Sequence, residues 1–134
     1  MYLLDTDTLI YSLKGDKVVH GNLARHVDDP MFISAVTLME LYYGAHKSQQ
    51  VAGNLAKVKT IEEAFEIISP GKDTAEIFGM LKASLELAGT PLDDFDLVIA
   101  ASALSRNLTL ITNNTRHFVR IQGLKLANWT QPAP

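Results

Sequence analysis

The sequence predicts an α/β protein: a central, mostly parallel sheet of four to five strands with helices on both faces. Short apolar runs that suit strands recur along the chain, and most are followed by a stretch with helical spacing or helix-capping chemistry. Strands separated by helices imply parallel pairing, with the helices covering the two faces. Length sets the scale, since 134 residues, 47% hydrophobic and 20% charged, are enough for one ordinary globular domain with a real core.

The elements follow in order. Tyr2, Leu3 and Leu4 form a short first strand. Residues 7–13 read as a helix stopped by Gly15, and residues 18–27 as a second, ended by Asp28, Asp29 and Pro30. Met31, Phe32 and Ile33 are the next strand. Ser34 then caps a helix running through Met39 and Tyr43 toward Ser48, and another helix covers 50–64. Residues 65–68 make a third strand before the breaker Ser69-Pro70-Gly71. Ala75, Phe78, Leu81, Leu85 and Ala88 set a helical period over 74–87, closed by Gly89-Thr90-Pro91. Asp93 or Asp94 caps the next helix, which runs to Ser105. Thr109-Leu110-Ile111-Thr112 is the fourth strand, and residues 124–127 add a fifth at an edge. One domain spans 1–130, and Gln131-Pro132-Ala133-Pro134 is expected to be a loose tail.

Composition removes several chemistries. Without cysteine there is no disulfide, zinc–thiolate centre or thiol nucleophile. His20, His26, His46 and His117 make no ligand-spaced pair, so zinc is not expected. No glycine-rich phosphate loop or nucleophile elbow is visible. No apolar run is long enough to span a bilayer, and Met1-Tyr2-Leu3-Leu4-Asp5 lacks the basic start of a signal peptide; the expected compartment is the cytoplasm. A net charge of −3 is unusual for a protein that binds nucleic acid, but a cation held by several acids belongs in that count.

The informative residues are acidic. Asp5 closes the first strand, Glu40 lies about two turns into the helix after Ser34, and Asp96 opens Asp96-Leu97-Val98-Ile99-Ala100-Ala101. A carboxylate beside a buried segment is costly unless compensated, and a divalent cation compensates several that converge. In a parallel sheet, sites form beyond the carboxyl ends of the strands. Asp5, Ser34, Thr112, Asn113 and Asn114 lie at such ends, with Glu40 in reach of the same edge. These residues point to a magnesium or manganese centre that cuts a phosphodiester. Each acid also has a plainer role open to it. Asp5-Thr6-Asp7 suits a strand-to-helix turn, and Glu40 shares a stripe with Thr37, Gly44 and Lys47 that suits solvent. Asp93, Asp94 and Asp96 suit a helix start.

Four segments then fall in a telling order: Leu4-Asp5-Thr6-Asp7, Ile33-Ser34-Ala35-Val36-Thr37-Leu38-Met39-Glu40-Leu41-Tyr42-Tyr43-Gly44-Ala45, Phe95-Asp96-Leu97-Val98-Ile99-Ala100-Ala101 and Thr112-Asn113-Asn114-Thr115-Arg116-His117-Phe118. With Gly123-Leu124 and Asn128-Trp129, they resemble the motifs of PIN-domain ribonucleases, specifically the VapC toxins of bacterial VapBC toxin–antitoxin pairs. The resemblance implies a three-layer α/β/α PIN fold and magnesium- or manganese-dependent endoribonuclease action on structured RNA such as tRNA or rRNA. It also implies a homodimer inhibited by a VapB antitoxin. Asp5, Glu40 and Asp96 match the family's acidic positions. This chain departs in two places. His117 stands where relatives often carry glutamate, and Asn114 stands near a position where many PIN domains carry an acid, which leaves one or two metals open. Asp94 is an added carboxylate, expected to act as a cap.

On this reading Asp5 and Asp96 hold the ion, and Glu40 ligates it or orients the attacking water, leaving a 5′-phosphate and a 3′-hydroxyl. Thr6, Asp7, Asp94, Thr112, Asn113 and Asn114 support the acids. Lys14, Arg116 and Arg120 are candidate phosphate contacts. Leu38, Met39, Tyr42 and Tyr43 offer more apolar surface than one helix face needs, as at an interface. Two rivals stay open. One is a PIN-fold binding or regulatory protein without nuclease activity, which the missing fourth acid favours. The other is a metal-dependent phosphatase, for which Asp5-Thr6-Asp7 fits an Asp-x-Asp pattern but no partner lysine completes it.

Overall fold

Five short strands pair into one sheet in the order β3-β2-β1-β4-β5. They are β1 (Tyr2–Leu4), β2 (Met31–Ser34), β3 (Glu66–Ile68), β4 (Thr109–Ile111) and β5 (Leu126–Ala127). The computed structural model describes residues 1–133. Every pairing is parallel. The helices are α1 (Thr6–Leu13), α2 (Lys17–Arg25), α3 (Ala35–Lys47), α4 (Val51–Ala64), α5 (Lys72–Leu87), α6 (Asp94–Arg106) and α7 (Thr115–Phe118).

Strand β1 lies in the middle and shows why the fold has three layers. Consecutive strand residues face opposite sides of a sheet. Leu3 and Leu4 are both fully buried, so both faces must be covered. Leu3 joins Leu81 and Leu85 of α5, Leu97 and Ile99 of α6, and Phe118 of α7. Leu4 joins Leu9 of α1, Leu41 of α3, Val58 and Ile61 of α4, and Trp129. Two apolar cores, one on each face, make the α/β/α sandwich that the alternation of elements predicted.

Boundaries agree with the sequence reading to within a few residues, and three details differ. Helix α7 was not anticipated, because four residues are too few to show a period. Asp93 holds the N-cap position of α6 and Asp94 is its first helical residue, so Asp94 is not the cap. The tail is held at Gln131 instead of running loose from it. Buried Asn22 of α2 donates through Nδ2 to the Trp129 carbonyl at 2.9 Å and to the Gln131 carbonyl at 3.0 Å. Pro134 lies outside the described residues. Trp129 also stacks on His26, with ring centroids 4.6 Å apart, and meets the edge of Tyr2 at 5.0 Å.

This clamp predicts a stability effect. Asn22→Ala strips two carbonyls of their donor and should cost about 1–3 kcal/mol. Urea unfolding checks it, with an unchanged midpoint as the contrary result. Among the described residues, no helix is long and apolar enough to cross a membrane.

Candidate active site

Parallel pairing aligns Leu4 with Ile111, which brings the ends of β1 and β4 to one edge of the sheet. Ser34, at the end of β2, is at the same edge; its hydroxyl accepts from the Val36 N–H at 3.1 Å and starts α3. Asp5 follows β1 directly and caps α1. Its Oδ1 accepts from the Thr6 N–H at 2.8 Å, and its Oδ2 accepts from the Thr112 hydroxyl at 2.8 Å. Both oxygens are thereby fixed, and the residue is only 6% exposed.

Glu40 is tied to the same turn. The Thr6 hydroxyl donates to Glu40 Oε1 at 2.7 Å and lies 3.1 Å from Thr37 Oγ1, so one threonine links α1 to α3. Asp7 accepts from the Asn113 N–H, at 3.1 Å to Oδ2, and from the Thr8 hydroxyl at 3.2 Å. The Thr112 hydroxyl stands 3.4 Å from Asp7 Oδ2 and 2.8 Å from Asp5 Oδ2, so it bridges the two acids. The Asn114 N–H donates to that hydroxyl at 3.0 Å, and Asn114 Nδ2 meets His117 Nδ1 at 2.8 Å. Asn113 Oδ1 accepts from Asn128 Nδ2 and Thr130 Oγ1, which braces the loop after β4 against the C-terminal segment.

The electrostatics show the acids in one field. Burial, then the charge of Asp7, push the Asp5 carboxyl up from 3.8 to about 7, against the bonds from Thr112 and Thr6; Asp96 adds to the rise. Asp96, half-buried in the first turn of α6, is also raised, first by burial, then by Asp93 and by Glu40. His117 opposes that rise and Asp7 adds to it.

Threonine hydroxyls join Asp5 to Asp7 and tie Glu40 to the same turn, with Asn113 and Asn114 beside them, and Asp96 lies near enough that Glu40 and Asp7 raise its carboxyl. Four residues stand apart. Asp94, expected to support the acids, is exposed and paired with Lys82 of α5 at 2.9 Å; the lysine takes it because it sits on the outer side of the first turn. Lys14 caps the far end of α1, about 12 Å along an eight-residue helix from Asp5. Arg120 donates to the Pro91 carbonyl at 3.5 Å. Arg116 is exposed on α7. Four participants were missed. Thr8 binds Asp7, Thr37 contacts Thr6, and Asp93 and His117 act on Asp96. For two of them a signal was present: Thr37 precedes Glu40, and Asp93 precedes Asp96, by the three residues that share a helix face.

The donor set is oxygen-rich, anionic and internally repelling, which fits a hard divalent cation that keeps several waters. Among the described residues, no three acidic or imidazole side chains close on a common point as a ready ion cage. Asp5, Asp7 and Glu40 each rest on hydroxyl or amide donors, whereas the Asp96 carboxylate has no hydrogen-bond partner among the described residues.

Comparison with known proteins gives one consistent picture. Residues 2–124 match the PIN domain. The chain is 36% identical to the tRNA(fMet)-specific endonuclease VapC of Shigella flexneri, covering 96% of this chain and 98% of that one. It is 38% identical to the protein of the same name in Salmonella typhimurium, covering 96% and 97%. Among solved structures, VapBC2 from Rickettsia felis bound to a DNA fragment from its promoter superposes with a TM-score of 0.90 at 34% identity, over 96% of this chain and 98% of the other. DNA-bound VapBC from Salmonella typhimurium gives 0.90 at 36% identity, over 96% and 97%.

Proposed function

The chain belongs to the PIN-domain family, among the VapC ribonucleases, and on that premise we propose that it is a magnesium- or manganese-dependent endoribonuclease toxin restrained by a VapB-type antitoxin. The observation that carries this reading is the pair of threonine bridges: Thr112 ties Asp5 to Asp7, and Thr6 ties Glu40 to the same turn, with Asp96 in the same field.

Asp5 and Asp96 are the residues that would hold the cation, with Glu40 as the third acid. When bound, the ion supplies charge neutralisation and polarisation of water and phosphate. Thr112 and Thr6 fix the carboxylates so that little reorganisation is needed. Glu40 Oε1 is taken by Thr6, which leaves Oε2 to orient the attacking water. Attack on phosphorus with departure of the 3′-oxygen leaves a 5′-phosphate and a 3′-hydroxyl.

The names of the Shigella and Salmonella relatives make tRNA(fMet) the first RNA to try. Antitoxin-free protein should cleave it with manganese or magnesium and stop on chelation, and mapping of the ends reads the chemistry. Release of phosphate from small esters without RNA cleavage would favour the phosphatase reading. RNA binding without cleavage would favour the binding-protein reading.

The partner and the assembly are part of the proposal. An apolar groove of about 280 Å³ runs between α1, α3 and α4, lined by Ile10, Leu13, Leu41 and Val58 with Lys14 and Lys57. It is a suitable seat for an antitoxin segment, because its apolar floor supplies contact area and its lysines suit acidic side chains. For the homodimer, the surplus on α3 narrows to two residues. Met39 is 55% exposed and Tyr43 65% exposed, whereas Leu38 packs inward and the Tyr42 hydroxyl donates to Glu62 at 2.6 Å. Light scattering of the antitoxin-free chain should give twice the monomer mass; a monomer at every concentration is the opposing result.

A further inference from the structure

An acidic pocket repels the phosphate that the proposed reaction must bring to it, so a donor on its wall has to receive the substrate. Most basic groups nearby are engaged or distant. Lys82 is paired with Asp94, Arg120 reaches the Pro91 carbonyl, and Lys14 lies at the far end of α1. Arg116 is exposed and makes no hydrogen bond among the described residues.

His117 is placed differently. It is half-buried on α7 and acts on Asp96. Asn114 holds its ring at 2.8 Å through Nδ1, and the Asn114 backbone rests on Thr112, the same hydroxyl that fixes Asp5. The imidazole is therefore built into the frame of the catalytic carboxylates. With the Asn114 NH2 turned to the ring, Nδ1 is placed as the acceptor and Nε2 as the position free to donate. Among the described residues Nε2 has no hydrogen-bond partner.

We propose that His117 contacts a non-bridging oxygen of the scissile phosphate through Nε2–H, with its ring oriented by Asn114. This rests on the ribonuclease reading above and adds to it the group that receives the substrate. A single N–H donor suits the position. A guanidinium there would fork onto Asp96 and its neighbours and compete with the cation. A carboxylate there would repel the phosphate. An imidazole N–H does neither.

The experiment compares wild type, His117→Ala, His117→Gln and His117→Glu on tRNA(fMet). His117→Ala should raise KM about tenfold, the size of one lost hydrogen bond to a charged group, with kcat little changed. His117→Gln keeps an N–H and should recover most of that loss, and His117→Glu should bind worse than alanine. Separately, nitrogen-15 NMR of the histidine-labelled chain in chelator, where no cleavage occurs, should show the Nε2-protonated ring and a shift of its signal when tRNA(fMet) is added. An unchanged KM in His117→Ala, a glutamine variant as impaired as alanine, or a ring protonated on Nδ1 overturns the contact. Normal wild-type cleavage beside any of these results overturns the contact alone. A wild type that neither binds nor cleaves the RNA overturns the ribonuclease reading with it.

Discussion

Asp5→Asn should lose RNA cleavage by roughly 10²–10³-fold or more and, in chelator, should be harder to unfold than wild type at pH 8. The two effects have one cause. The Asp5 carboxyl is buried among other acids and held at about 7 instead of 3.8. Between those values the folded chain binds a proton that the unfolded chain has released, so stability falls as pH rises through that window. Fully ionised, the group costs on the order of 4 kcal/mol, an upper figure because nearby hydroxyls reorient. Asparagine has the same shape and no charge. Its oxygen can keep the Thr6 N–H, and its NH2 can donate to the Thr112 hydroxyl, which here donates to Asp5. The gain should be present at pH 8 and absent at pH 4, where wild-type Asp5 is itself largely neutral. Urea unfolding at both values and a cleavage assay read it together. An asparagine variant that cleaves normally, or is less stable at pH 8, contradicts the role given to Asp5.

Loss of function with gain of stability is what a site assembled against its own electrostatics produces. The same logic separates what the sequence could reveal from what it could not. Strand and helix alternation was legible because Leu3, Leu4, Ile33, Leu110 and Ile111 are fully buried and must be apolar. The placement of Asp5 and Glu40 was legible because Asp5 follows β1 at the edge where a parallel sheet gathers its carboxyl ends and Glu40 is in reach of that edge. Their environments were not. The stripe of Thr37, Glu40, Gly44 and Lys47 admits a solvent-facing reading, and the structure divides it: Thr37 is fully buried, Glu40 half-buried, and Gly44 and Lys47 exposed. One helical face descends into the sheet edge at its start and leaves it a turn later, which no local period reveals. The threonine bridges join residues 34 and 107 positions apart, so they too are tertiary facts. Asp94 and Asp96 look alike as acids at a helix start, yet two residues along a helix turn the side chain by about 200°, enough to send one to Lys82 and the other to the pocket.

Metal affinity and cleavage should fall together as pH drops below about 7. A carboxylate binds a cation only after losing its proton, so binding is coupled to proton release. With Asp5 held at about 7, each pH unit below that value should weaken affinity about tenfold, or about 100-fold by pH 5. The Asp96 carboxyl is also raised, by burial first and then by Asp93 and Glu40, so a second proton steepens the fall at the acid end. Stability moves the opposite way from the metal-free chain. Bound metal removes the repulsion that ionisation creates, so its stabilisation is greatest above pH 7, about 2.7 kcal/mol at a hundredfold excess over Kd, and shrinks toward pH 5. Calorimetric titration of manganese at pH 7 in two buffers of different ionisation enthalpy reads the released proton directly. Asp5→Asn should abolish most of that release while leaving the contribution of Asp96. Affinity that stays constant from pH 5 to pH 8, or proton release unchanged in the asparagine variant, would mean that Asp5 does not face the cation and that its burial serves the α1 turn alone.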